Sequence, residues 1–97
     1  MIIDYNQWVE NDLREVIDYY DSIKAELSDD FLDLYEKVID DLVFMPERFP
    51  IIEANLRQVI IQTFPYLVYY RIISENHIRI IGVKHQKRNP DLLRSRE

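Results

Sequence analysis

The residues of this chain that could do chemistry are cations gathered in its second half: Arg57, Arg71, Arg79, Lys84, His85, Lys87, Arg88, Arg94 and Arg96. A guanidinium holds a carboxylate or a phosphodiester through two parallel hydrogen bonds, so a pair of arginines that converge makes an anion clamp. If Arg57 and Arg71 stand on neighbouring strands, their guanidinium groups converge. Two kinds of ligand fit such a set, a nucleic-acid phosphate or the acidic side chains of a protein partner. A structural alternative for Arg71 is a salt bridge to a helix carboxylate, and Arg79 reads as a surface strand residue.

Other chemistries have no residues to carry them. There is no cysteine, so disulfides and thiolate metal sites are excluded. Of the two histidines, His77 falls at a turn, where solvation is expected, and His85 has basic neighbours that would repel a metal cation. No metal site is expected. One glycine is too few for a phosphate-cradling loop, so no nucleotide cofactor is expected either. The carboxylates Glu10, Asp12, Glu15, Asp18 and Asp21 read as the solvated face of a helix rather than as an acid–base pair.

Charge divides the chain. Residues 1–50 carry a balance of −10 and residues 51–97 one of +4, which together give −6. An acidic face and a basic face are expected, each suited to a different partner. No apolar run approaches the ~20 residues that span a bilayer, and the N-terminus has no leader pattern, so a cytoplasmic protein is expected.

Several elements must hold these cations in place. Ninety-seven residues make a single domain, 1–97, which buries only about 60–65% of its unfolded surface. Residues 1–5 form a short apolar segment that reads as an edge strand. Asn6 then caps a helix whose apolar stripe runs through Val9, Leu13, Val16 or Ile17, Tyr20, Ile23 and Leu27, about five turns. Ser28 is the expected cap of a second helix with the stripe Phe31, Leu34 or Tyr35, Val38, Leu42 and Met45, stopped by Pro46. So short a linker makes the two helices an antiparallel hairpin. Leu32, Ile39 and Val43 widen the second stripe, so that helix touches both the first helix and a sheet.

Residues 47–55 read as a loop and Leu56 to Thr63 as a strand. Phe64-Pro65 turns the chain into a β-hairpin of Tyr66 to Ile73 and Ile78 to Val83, joined by Ser74-Glu75-Asn76. Gly82, in mid-strand, marks a bulge or a close backbone approach. Asn89-Pro90 starts a final helical turn. The expected fold is two-layer α+β: an N-terminal strand, an antiparallel helical hairpin packed on a mostly antiparallel sheet, and a short C-terminal helical turn. Both faces of Tyr66 to Ile73 are apolar, so the face away from the helices is expected to lie under a partner.

These residues carry a family resemblance. They include Asn11-Asp12-Leu13 through Ile17-Asp18-Tyr19-Tyr20, Phe31-Leu32 with Leu42 and Pro46, and Leu56-Arg57. They continue with Phe64-Pro65-Tyr66, Val68-Tyr69-Tyr70-Arg71-Ile72, Ile81-Gly82-Val83 with His85, and Arg88-Asn89-Pro90. In this order the chain resembles the RelE/ParE superfamily of type II toxin–antitoxin toxins, on the ParE (plasmid stabilisation) side.

The resemblance implies a growth-inhibiting toxin silenced by a cognate antitoxin whose disordered segment folds onto it. It implies one of two activities, inhibition of DNA gyrase by protein contact or ribosome-dependent cleavage of mRNA. A nuclease of this kind would use Arg57, Arg71 and His85. It would also want a C-terminal aromatic to stack on a base, and Leu92 and Leu93 stand there instead. With the acidic net charge, this favours the gyrase inhibitor over the metal-independent endoribonuclease. A third possibility is an inactive binding module of the same fold. For a protein partner the expected contact residues are Arg57, Tyr69, Arg71, Arg79, Lys84, His85, Lys87 and Arg88.

Overall fold

Both ends of the chain converge on one strand. In the computed structural model, which describes residues 1–93, 95 and 96, the sheet has the order β1-β5-β4-β3-β2. The strands are β1 (Ile2–Tyr5), β2 (Ile51–Glu53), β3 (Leu56–Ile61), β4 (Tyr66–Ser74) and β5 (His77–His85). β1 pairs with β5 in parallel, Ile3 opposite Ile78, and every other pairing is antiparallel. β-branched and aromatic residues at period two make β4 and β5 the central hairpin, closed at Glu75-Asn76.

The helices are α1 (Val9–Asp21) and α2 (Ala25–Phe44). They form the expected antiparallel hairpin, with α1 lying on β5 and α2 on β3. Between them and the sheet lies the main core, where Phe31, Leu42, Val68, Tyr70, Ile78 and Ile80 are fully buried. Leu32, Ile39 and Val43 pack against it from the side, as the widened stripe required.

The corner between the helices comes earlier than the sequence pattern predicts. α1 is 13 residues long and stops at Asp21; Ile23 is exposed and Leu27 belongs to α2. Ser28 does not cap α2. It is buried one turn inside, its hydroxyl between the Asp21 carboxylate and the Ala25 carbonyl (2.9 Å). That contact ties the end of one helix to the start of the next. Asn6 Oδ1 accepts the N–H of Trp8 at 2.9 Å just ahead of α1, but the cap position itself is Trp8 and has no side-chain cap.

Three further details bear on function. Within the expected loop 47–55 the chain makes β2, joined to β3 by a two-residue turn in which Ala54 and Asn55 have φ of 43° and 64°. Next to Gly82, β5 bulges: Tyr69 pairs with Gly82 and Tyr70 with Ile80, leaving Ile81 between them. Finally, the face away from the helices is covered by the chain itself rather than left wholly for a partner. A 3-10 turn, Pro90–Leu93, opens with Asn89 Oδ1 accepting the Asp91 N–H at 3.0 Å. It seats Leu93, fully buried, on Leu56, Tyr69 and Ile81.

Candidate functional site

The expected clamp does not form. Arg57 sits opposite Tyr70 on the helix face of the sheet, whereas Arg71 pairs with Leu56 on the other face. Each guanidinium holds backbone instead of an anion. Arg57 Nη1 donates to the carbonyls of Phe49 (2.6 Å) and Glu47 (3.1 Å), and Arg71 Nη1 donates to the Ala54 carbonyl. Arg57 thus works with Tyr70, whose hydroxyl donates to the Pro46 carbonyl at 2.5 Å, to hold the segment that follows α2. Burial pushes the Tyr70 hydroxyl up to about 12, with Arg57 and Arg48 pulling the other way. His85 lies opposite Tyr66, five residues along β4 from Arg71, roughly 16 Å away at about 3.3 Å per residue.

The remaining cations fall into three groups. In the first, Arg79 donates to the Asp4 carboxylate from Nε (2.7 Å) and Nη2 (3.1 Å), and His77 meets the same carboxylate at 2.6 Å. The hydrogen bond from Arg79 is the chief cause that holds the Asp4 carboxyl below its ordinary range, against a partial desolvation. His77 is therefore a partner of Asp4 and not merely solvated.

The second group surrounds Asp12, which the sequence pattern assigns to the polar face. Its carboxylate is completely buried. Lys84 Nζ stands 2.8 Å from Oδ1, and Arg96 grips both oxygens at 2.6 and 3.2 Å. The Val83 N–H donates to Oδ2 at 3.1 Å. The reason lies in the sheet. β1 ends opposite Ile80, so β5 beyond that point lacks a strand neighbour on the side away from β4, and Asp12 takes the place of a strand as acceptor there. The signal was available: Asp12 lies three residues after Val9 and four before Val16, on the apolar stripe.

The third group is the open one. A cavity of about 90 Å³ is lined by Glu15, Tyr66, Lys84, His85 and Arg88, with Asp12, Val16 and Val83 at its base. The His85 ring meets Tyr66 edge-on with centroids 5.3 Å apart, and its Nδ1 accepts the Lys87 N–H at 3.1 Å. A neutral His85 so placed carries its proton on Nε2. Burial raises the Tyr66 hydroxyl above its usual range, with Tyr19 and Glu15 adding to the rise and Arg88 opposing it.

The expected contact residues therefore separate. His85, Lys87 and Arg88 share one exposed corner, and Lys84 is spent on Asp12. Arg71 and Arg79 share the far face, across the Arg71–Arg79 pairing. Tyr69 is buried under Leu93 and offers no surface. Arg94 lies outside the described residues. Among the described residues no group of histidines and carboxylates could hold a metal ion, and no helix is long and apolar enough to cross a membrane.

Comparison with known proteins places this architecture. Among solved structures the chain is similar to one described as the chromosomal ParDE TA system from P. aeruginosa, at a TM-score of 0.63 and 13% identity. The match covers 88% of this chain and 95% of that one. No curated protein sequence matches the chain. The model of the ParE toxin of the type II toxin–antitoxin system parDE matches residues 3–90, which takes in all of the sheet but Ile2, both helices and the basic corner of His85, Lys87 and Arg88. The chain belongs to the ParE toxin family of type II toxin–antitoxin systems.

Proposed function

We propose that this chain is an antitoxin-regulated toxin that inhibits DNA gyrase through protein–protein contacts, without cleaving nucleic acid. The observation that carries this reading is the separation of Arg57, Arg71 and His85. Two of the three cations that a phosphodiester cleavage would need to converge are on opposite faces and hold loop carbonyls. The third is at the far end of β5. No aromatic follows His85 to stack on a base, and the net charge of −6 opposes an RNA surface. What the surface does offer is a corner of His85, Lys87 and Arg88, suited to an acidic protein segment. An antitoxin segment that orders on binding is the natural occupant of such a surface.

The test is inducible expression in bacteria. Stabilised gyrase–DNA cleavage complexes and filamentous cells support the proposal, and prompt translation arrest with cleaved mRNA overturns it. A ribosome-dependent nuclease is the second reading, favoured by one observation, the grouping of His85, Tyr66 and Arg88 around one cavity. On that reading His85→Ala abolishes mRNA cleavage and leaves the thermal melt unchanged. On the first it leaves gyrase poisoning largely intact.

A further inference from the structure

The chain has a single tryptophan, Trp8, and it stays out of the core. It stands at the cap position of α1, 49% exposed, and its side chain gives the helix no cap. Among the described residues its ring meets no aromatic ring and no cation, and its Nε1 donates to no acceptor. An indole offers a broad flat face and one N–H, the two features by which a planar ring is stacked and held.

Trp8 borders a cavity of about 550 Å³ where β1 hands over to α1, a size that takes a small organic molecule. Asp4, Gln7, Arg79, Ser95 and Arg96 share its wall. The charges on that wall are already matched. Arg79 holds the Asp4 carboxylate at 2.7 and 3.1 Å, and Arg96 holds that of Asp12 at 2.6 and 3.2 Å. The groups left over are neutral. The Gln7 amide and the Ser95 hydroxyl are exposed and make no side-chain hydrogen bond among the described residues. The indole N–H is the third.

We propose that this cavity binds a neutral purine nucleoside, its base flat on the Trp8 indole and its edge read by Gln7. A charged ligand gains little here, because a cation of the wall would have to give up its carboxylate to meet it. A planar heteroaromatic ring suits the unmatched groups. Its face stacks on an indole whichever base it belongs to. Its edge offers an acceptor beside a donor, as adenine does at N7 and N6, and a glutamine amide meets that pair with two hydrogen bonds. A ribose hydroxyl takes the Ser95 side chain, which both donates and accepts. Gln7 and Trp8 are consecutive in the turn before α1 and border the same cavity, so one ligand reaches both. The proposal rests on this cavity alone and does not depend on gyrase being the target.

A lone tryptophan in the wall is also the reporter. Adenosine is titrated into the whole chain while the tryptophan emission is followed, with ribose and adenosine 5′-monophosphate as comparison ligands. Adenosine is expected to quench the emission along a saturating curve, and ribose to leave it unchanged. The monophosphate is expected to bind within about fivefold of adenosine, since its charge finds no unmatched cation. Gln7→Ala should weaken adenosine at least about fivefold. Trp8→Ala, followed by calorimetry because the reporter is gone, should do the same. Both side chains are exposed, so the urea midpoints of the variants should match that of the parent chain. A quench that grows without saturating, ribose that acts as adenosine does, a monophosphate more than about fivefold tighter, or full affinity in either variant overturns the proposal.

Discussion

Asp12 is the residue on which most of the candidate site depends, because a buried carboxylate between two cations is stable only as a complete set. With Lys84 and Arg96 mostly buried beside it, Asp12→Asn leaves two charges without a counterion and is expected to cost about 3–5 kcal/mol, read as a lower midpoint in urea. Tyr35 gives the opposite expectation. Among the described residues its buried hydroxyl has no hydrogen-bond partner. Tyr35→Phe therefore removes an unsatisfied group and should leave the melting temperature unchanged or raise it. Tyr70 makes stability depend on pH at the alkaline end. Its hydroxyl titrates near 10 when unfolded and about 12 when folded, so the unfolded chain loses its proton first. Stability is then whole below pH 10 and falls as the pH climbs from 10 towards 12. Tyr70→Phe should flatten that part of the pH–stability curve while giving up the bond to the Pro46 carbonyl.

At the scale of the element, the C-terminal 3-10 turn is the piece most open to test. A methyl group at position 82 would meet Leu93 Cδ2 and Arg96 Nη1 at 2.8 Å each. Gly82→Ala is therefore expected to cost about 1–3 kcal/mol and to raise amide exchange in the turn and in the 81–83 segment of β5. The sequence signalled this strand well: a lone glycine inside a β-branched run marked both the bulge and the close approach. The hairpin and the end of α2 were equally legible, because alternation and Pro46 act locally. The corner between the helices was not. It carries neither glycine nor proline, and a part-buried contact between the exposed Asp21 and the buried Ser28 ties it. β2 escaped notice because three residues between Pro50 and Ala54 make no periodic signal, and its turn uses Ala54 and Asn55 in the left-handed region instead of glycine. The arginine clamp failed for a similar reason. Residues 57 and 71 look like neighbours in sequence pattern, but the β3–β4 register, set by the turn at Phe64, sends their side chains to opposite faces.

The whole molecule has a radius of gyration of 13.0 Å, against about 12.5 Å for a compact domain of this length. Its far sheet face is closed in part by its own Leu93. The free chain is therefore expected to be folded and monomeric at micromolar concentration and to unfold in one cooperative transition. The stability expected is in the range of about 5–15 kcal/mol, measurable by light scattering and by coincident circular dichroism and fluorescence melts. A partner then adds to that stability by mass action and is not needed to create the fold.

β5, the strand that receives both ends of the chain, has a consequence for how the protein is made. Asp4 meets Arg79 across 75 positions of sequence, and Asp12 meets Arg96 across 84. A ribosome must therefore have released residues 77–85 before β1 has anything to pair with, and contacts of such long sequence range form slowly. Until that point the nascent chain has no finished sheet, so a product terminated before β5 lacks the strand that organises the rest. A chain assembled this way completes its sheet only once residues 77–85 have emerged, which gives a partner already waiting in the cell a head start on it.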